Sequence, residues 1–249
     1  MVHGAFCGGW AFEDFRKPFE QAEHSVVAPD LPGHGIGGAR GAVAGLSMSD
    51  YVRAVRRVIE AQAEPPVLIG HSLGGLVAQM AAARSPLAGL ILLAPSSPWG
   101  VSGSSAEEAI AAVSLYALGP FWALAVDPDY VAASRYLLDR LPSDERRRTY
   151  ARLVPESGRA LWETLNWWLD PFATTLVSAA VVQAPVLAIG GGLDAIHPPA
   201  TVRAVASRLG GETKVFADMS HWLMGEPGWR MVARTCLDWI ATLRTRDAA

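Results

Sequence analysis

Short, mostly apolar runs alternate along this chain with longer segments whose apolar positions recur every three or four residues. The runs are SVVA at 25–28, PPVLIG ending at Gly70, LAGLILLAP ending at Pro95, APVLAIGGG ending at Gly192 and TKVFA ending at Ala217. Apolar continuity over so few residues suits strands buried on both faces. Between the runs, Tyr51, Val52, Val55, Val58 and Ile59 share one side of a helix, and residues 47–50 offer capping side chains ahead of it. LVAQMAAA, TVRAVASRL and residues 229–243 give three more helical patterns. The alternation predicts an α/β fold with a mostly parallel sheet and helices on both faces.

One stretch departs from this rhythm. From Ser96 to about Gln183 there is no convincing strand, only helical patterns and many aromatics. Residues 1–95 and 184–249 are therefore expected to form one core. Residues 96–183 are expected to be a helical cap, or lid, inserted over the C-terminal edge of the sheet, where open α/β sheets bind ligands.

Composition narrows the function classes. The chain has 249 residues, 51% hydrophobic and 18% charged, which excludes disorder and supports a single large core. A net charge of -3 gives no reason to expect nucleic acid as a partner. Cys7 and Cys236, one near each end, are expected to be reduced thiols. No basic segment followed by an apolar run opens the chain, so no signal peptide is expected. Two long uncharged stretches, 109–126 and 171–193, are interrupted by Gly119-Pro120 and by Pro185, so no membrane span is expected and the protein is placed in the cytoplasm. Neither a metal-ligand cluster nor a G-x-G-x-x-G fingerprint is visible, so no metal or cofactor is expected. The expected partner is a small-molecule substrate, and the chain is read as a monomer or homodimer.

The strongest motif is PPVLIGHSLGG, in which an apolar strand runs into Gly70-His71-Ser72-Leu73-Gly74 and a helix follows at once. This is G-x-S-x-G in the strand–turn–helix setting that the motif requires. A serine at such a turn has a strained backbone, and side chains at its flanks would collide, hence the glycines. Its hydroxyl then stands at a helix N-terminus, where developing negative charge is favoured.

A serine hydroxyl needs a base. Among six histidines, His221 in DMSHWLMGEPGW follows the last strand, where the chain order Ser, acid, His places the base. His3 and His34 sit in Gly-containing loops and are expected to make loop-stabilising hydrogen bonds. His71 should point away from its neighbour Ser72. The acid that orients the imidazole is expected to be Asp194, just past a buried strand. Asp218 is a rival better suited to capping a turn, His197 is read as a loop residue, and LLAPSSPWG after the preceding strand holds no carboxylate.

Ser72, Asp194 and His221, with the HGAFCGGW loop ahead of them, resemble the α/β-hydrolase fold enzymes over nearly the whole chain. The resemblance implies an oxyanion hole formed by the backbone N–H of Leu73 and one from the His-Gly loop, Ala5 or else Phe6, with Ala5 the choice. In such enzymes the strand before that loop lies inside the sheet beside the nucleophile strand, yet only Met1 and Val2 stand there. The expectation is that N-terminal strands are missing and the natural protein starts further upstream.

Phe6, Phe121, Trp122, Trp162, Trp167, Trp168 and Trp222 are the candidates for a pocket lining, and as a group they suit a neutral hydrophobic substrate. The leading expectation is a serine hydrolase that cleaves a carboxylic ester, lactone or thioester through an acyl-enzyme on Ser72. Alternatives of the same fold are a carbon–carbon bond hydrolase, a hydroxynitrile-lyase-like enzyme or a non-catalytic small-molecule receptor. The lyase is disfavoured by Ala5 in the loop and by the lack of a Lys near Asp194 or His221.

Overall fold

The computed structural model describes residues 1–35, 40–101 and 105–246. Residues 36–39, in the turn expected after Pro29, residues 102–104, near the start of the insertion, and residues 247–249 lie outside the described residues.

Four parallel strands form the main sheet in the order β1 (Val67–His71), β2 (Gly89–Leu93), β5 (Val186–Gly191) and β6 (Glu212–Phe216). Helices α1 (Lys17–Gln21), α2 (Met48–Glu60), α3 (Leu73–Ala82), α8 (Pro199–Arg208) and α9 (Trp229–Arg246) surround it. Alternate strand residues feed two cores. Leu68, Leu90, Leu92, Val186 and Ala188 pack with α2, α3 and α8. Ile69, Ile91, Leu93, Leu187 and Ile189 pack with Phe19 of α1 and with Val232, Cys236 and Ile240 of α9. Burial on both faces explains why β1, β2 and β5 are almost continuously apolar, whereas β6 at the sheet edge, ETKVF, is mostly exposed and carries polar residues. Cys7 and Cys236 are buried and unpaired, and burial pushes both thiols far above their usual range.

Residues 25–28, expected to be a strand, are extended but join no ladder. A strand exists only through its neighbours, and the ground between this segment and β1 holds just Met1 and Val2. The Met1 ammonium donates to the Val27 carbonyl at 2.6 Å. Val2 bridges to Gly70 in parallel, donating to Ile69 O at 2.8 Å and accepting from His71 N at 3.0 Å. Beside the N-terminal half of β1 a cavity of about 570 Å³ opens, lined by Met1, Val26, Val27, Val55 and Leu68 among others.

Between β2 and β5 lie α4 (Ala106–Leu115), α5 (Tyr130–Ala132), α6 (Ser143–Tyr150) and α7 (Gly158–Leu165). This insertion is not purely helical. β3 (Ala125–Val126) and β4 (Glu156–Ser157) pair antiparallel, a ladder of two residues a side that is too short to leave an alternating pattern in the sequence. Phe121, Val126 and Leu161 form the insertion's own core. Among the described residues no helix is long and apolar enough to cross a membrane.

Candidate active site

β1 ends in His71, and the chain turns into α3 within one residue. Ser72 makes that turn with φ 53° and ψ -124°, a left-handed conformation that costs a non-glycine residue about 1–3 kcal/mol. Its N–H is tied to Leu93 O at 3.0 Å and its carbonyl accepts from Ser96 N at 3.0 Å, so the ends of β1 and β2 hold the turn. The flanking glycines are required by space. A Cβ on Gly70 would lie 2.4 Å from Gly74 O, and one on Gly74 would lie 2.2 Å from His3 O. The second contact also sets the His-Gly loop directly against the start of α3.

His221 stands in the loop before α9 and is buried. Its Nδ1 lies 2.8 Å from Asp194 Oδ2, and the other Asp194 oxygen accepts from the N–H groups of Ile196 (2.8 Å) and His197 (2.9 Å). Burial alone would raise the Asp194 carboxyl, but the His221 imidazole beside it and these N–H donors hold it below the usual carboxylate range. A carboxylate at Nδ1 fixes the proton there and leaves Nε2 as the basic nitrogen. His71 points away from Ser72 and donates from Nε2 to the His221 carbonyl at 2.9 Å. Burial, with the neighbouring His221, holds His71 well below the usual imidazole range, so it donates as the neutral Nε2–H tautomer. Glu226 fixes the same loop from below, accepting from Ser220 N at 2.6 Å. Burial, with the Asp139 and Asp194 charges, raises this carboxyl to about 7.

On the opposite flank, the His-Gly loop is held by a network that its own sequence does not announce. His3 Nδ1 lies 2.9 Å from Gly4 O, and its Nε2 accepts from Leu31 N at 2.9 Å. Phe6 has φ 62°, again left-handed and again without a glycine's freedom. Both of its backbone groups go to the insertion. Phe6 N donates to Glu156 Oε2 at 3.3 Å, and Phe6 O accepts from Val154 N at 2.8 Å. The buried Glu156 also takes the Tyr51 hydroxyl at 2.6 Å and Ser157 N at 2.7 Å on Oε1, and lies 3.0 Å from His34 Nε2 through Oε2. His34 Nδ1 faces Pro32 O, which can only accept, so Nδ1 carries a proton. Burial opposes charge on both partners, yet their mutual attraction holds Glu156 low and His34 high, as an imidazolium–carboxylate pair. Among the described residues, no acceptor faces the N–H groups of Ala5 and Leu73.

The aromatic candidates divide. Phe121 and Trp162 pack with Ala5 and Phe6 in one cluster. Trp167 stacks edge-on against Trp99 and Trp168. Trp122 (44% exposed) and Trp168 (58%) are exposed to solvent. Trp222 is buried in the core between Trp10 and His71. His197, expected to be an ordinary loop residue, is buried with its ring 5.1 Å from that of His221, and its Nε2 lies 3.4 Å from Ser96 Oγ and 3.7 Å from Glu108. Sequence reasoning missed Glu156 and Glu226. Glu156 meets partners 105 to 150 positions away, and no local pattern marks it. Glu226 could have been suspected as a lone acid in the otherwise apolar WLMGEPGW. Among the described residues no three His, Cys, Asp or Glu side chains gather as a metal site would need.

Comparison with known proteins adds four findings. The family model described as "Alpha/beta hydrolase family" matches residues 1–233. The dihydrolipoyllysine-residue acetyltransferase component of the acetoin cleaving system from Cupriavidus necator is 32% identical over 89% of this chain, although the chain spans 58% of that protein's length. A pimeloyl-[acyl-carrier protein] methyl ester esterase from Neisseria meningitidis is 30% identical over 80% of this chain and 76% of its own. Among solved structures, an extracellular alpha/beta-hydrolase from a Paenibacillus species superposes with a TM-score of 0.72 at 17% identity, covering 95% of this chain and 96% of that one.

Proposed function

The chain belongs to the alpha/beta hydrolase family, and from that premise we propose that it is a serine hydrolase acting on a carboxylic ester of a neutral, hydrophobic small molecule. The observation that carries this reading is the 2.8 Å bond from His221 Nδ1 to the buried Asp194 carboxylate, in the same C-terminal sheet edge as the strained Ser72 turn. The esterase relative from Neisseria supports the ester as the bond cleaved.

In this reading Ser72 Oγ attacks the ester carbonyl carbon while its proton passes to His221 Nε2. The carbonyl oxygen takes the negative charge and is met by the free N–H groups of Ala5 and Leu73, donors worth about 10²–10³ in rate for each one removed. The C–O bond then breaks, the alcohol leaves with the proton from His221, and the acyl group stays on Ser72. Water gives a proton to His221, attacks the acyl carbon, and the acid departs as Ser72 recovers its hydrogen. Asp194 holds the imidazole in the right tautomer and stabilises its charged form. The insertion serves as a cap whose Phe121 and Trp162, beside Phe6, supply apolar surface for the substrate.

Hydrolysis of p-nitrophenyl esters of graded acyl length tests the proposal. Ser72→Ala is expected to lose activity by about 10⁴-fold or more while folding normally. A variant that retains the wild-type rate would overturn the assignment.

A further inference from the structure

We propose that Glu156 of the insertion is the positioning residue for the oxyanion loop, and that it acts by gripping Phe6 so that the neighbouring Ala5 N–H stays free and aimed. The proposal rests on the serine-hydrolase reading above for what the loop does, but on geometry alone for the grip. Phe6 sits at φ 62° without being glycine, so something must hold it there. Its N–H and its carbonyl are both engaged by residues 154–156, at 3.3 Å and 2.8 Å. Glu156 in turn is fully buried, and three further groups fix its carboxylate: Tyr51 of α2, His34 and the backbone N–H of Ser157, while its backbone sits in the β3–β4 ladder.

The arrangement divides labour between adjacent amides. If Phe6 N–H were free, it would compete with Ala5 for the developing charge from a different direction. With Phe6 N–H spent on Glu156 Oε2, only Ala5 is available. Because the acceptor belongs to the insertion, correct seating of the insertion and a competent oxyanion loop become one event.

Glu156→Gln separates this role from general support. The amide carbonyl can keep the Oε1 partners, Tyr51 and Ser157, and the amide NH₂ can face His34 once that ring is neutral. The Phe6 N–H then meets a donor instead of an acceptor. Glu163→Gln is the control, since Glu163 also ties the insertion to the core, accepting from Met48 N at 2.8 Å rather than from the loop. With wild type and both variants at matched thermal stability, the rate of labelling by a fluorophosphonate and the kcat and KM for a p-nitrophenyl ester are measured. Glu156→Gln is expected to slow labelling and kcat by about 10- to 100-fold with KM little changed, because the defect lies in presenting a donor to the transition state. Glu163→Gln is expected to label like wild type. Equal losses in both variants, or none in Glu156→Gln, would overturn the proposal. Amide hydrogen exchange on the wild type gives an independent reading that no folding defect can obscure: Phe6 N–H should be protected and Ala5 N–H not, and a fast-exchanging Phe6 would overturn the grip. A folded wild type that takes no label at all would overturn the serine reading itself, while the exchange measurement still decides whether Glu156 holds the loop.

Discussion

Glu226 shows how one buried side chain can make the loop carrying His221 sensitive to pH. Its carboxyl titrates at about 7 against an ordinary value of 4.5, chiefly because burial penalises the charged form. Between those two values the folded protein holds a proton that the unfolded chain has already released, so this residue's contribution to stability falls as pH rises from about 4.5 to 7. Glu226→Gln keeps a carbonyl for Ser220 N and removes the ionisation. Thermal melts of both proteins across this range should therefore diverge, with the variant gaining on the wild type as pH rises. Parallel curves would mean that Glu226 ionises freely in the folded state. Asp194 behaves oppositely, being held low by His221, and supplies stability that is lost only as pH falls below its ordinary range. The same scale shows why some site residues can be read from sequence and others not. Ser72 is flanked by glycines that the turn needs, Asp194 follows the apolar strand β5, and His221 follows the last strand, β6. Glu156 has no such surroundings: its role depends on partners brought close only by the fold.

Among the elements, α2 illustrates how local and distant signals combine. Ser47 and Asp50 form a capping box, each side chain accepting from the other's backbone N–H, and the sequence advertises it. The N–H of Met48 is instead satisfied by Glu163 of α7, across 115 positions, which places a carboxylate at the positive end of the helix and docks the insertion there. Ser47→Ala should cost about 1 kcal/mol in urea denaturation with an unchanged m-value. A loss near zero would show that Glu163 alone suffices to cap α2. The buried strands were legible because their apolar residues are continuous, feeding cores on both sides of the sheet. Residues 25–28 have the composition of a strand but no ladder, since pairing is a property of two segments and their neighbours here are only Met1 and Val2. β3 and β4 escaped for the converse reason: two residues make a ladder when the fold brings them together, and two residues carry no period.

At the scale of the whole molecule, the insertion touches the core on both flanks of the candidate triad. Residues 154–156 hold the His-Gly loop, while Glu108 of α4 approaches His197, which lies against His221. The insertion so attached exposes Ile110, Val113, Trp168 and Phe172 to solvent, while its Phe121 and Trp162 pack with Ala5 and Phe6 of the His-Gly loop. The family and the parallel sheet were readable from the order of motifs along the chain. The way the insertion meets the loops around the candidate site was not, because those contacts join residues far apart in the chain, Glu108 with His197 and Phe6 with Glu156. The measurement that bears most directly on the serine-hydrolase assignment is intact mass after incubation with a fluorophosphonate, for wild type and Ser72→Ala. A single adduct on the wild type that maps to the peptide carrying Ser72, and is absent from the variant, is the predicted result. A folded wild type without an adduct, or a variant that still carries one, would contradict it.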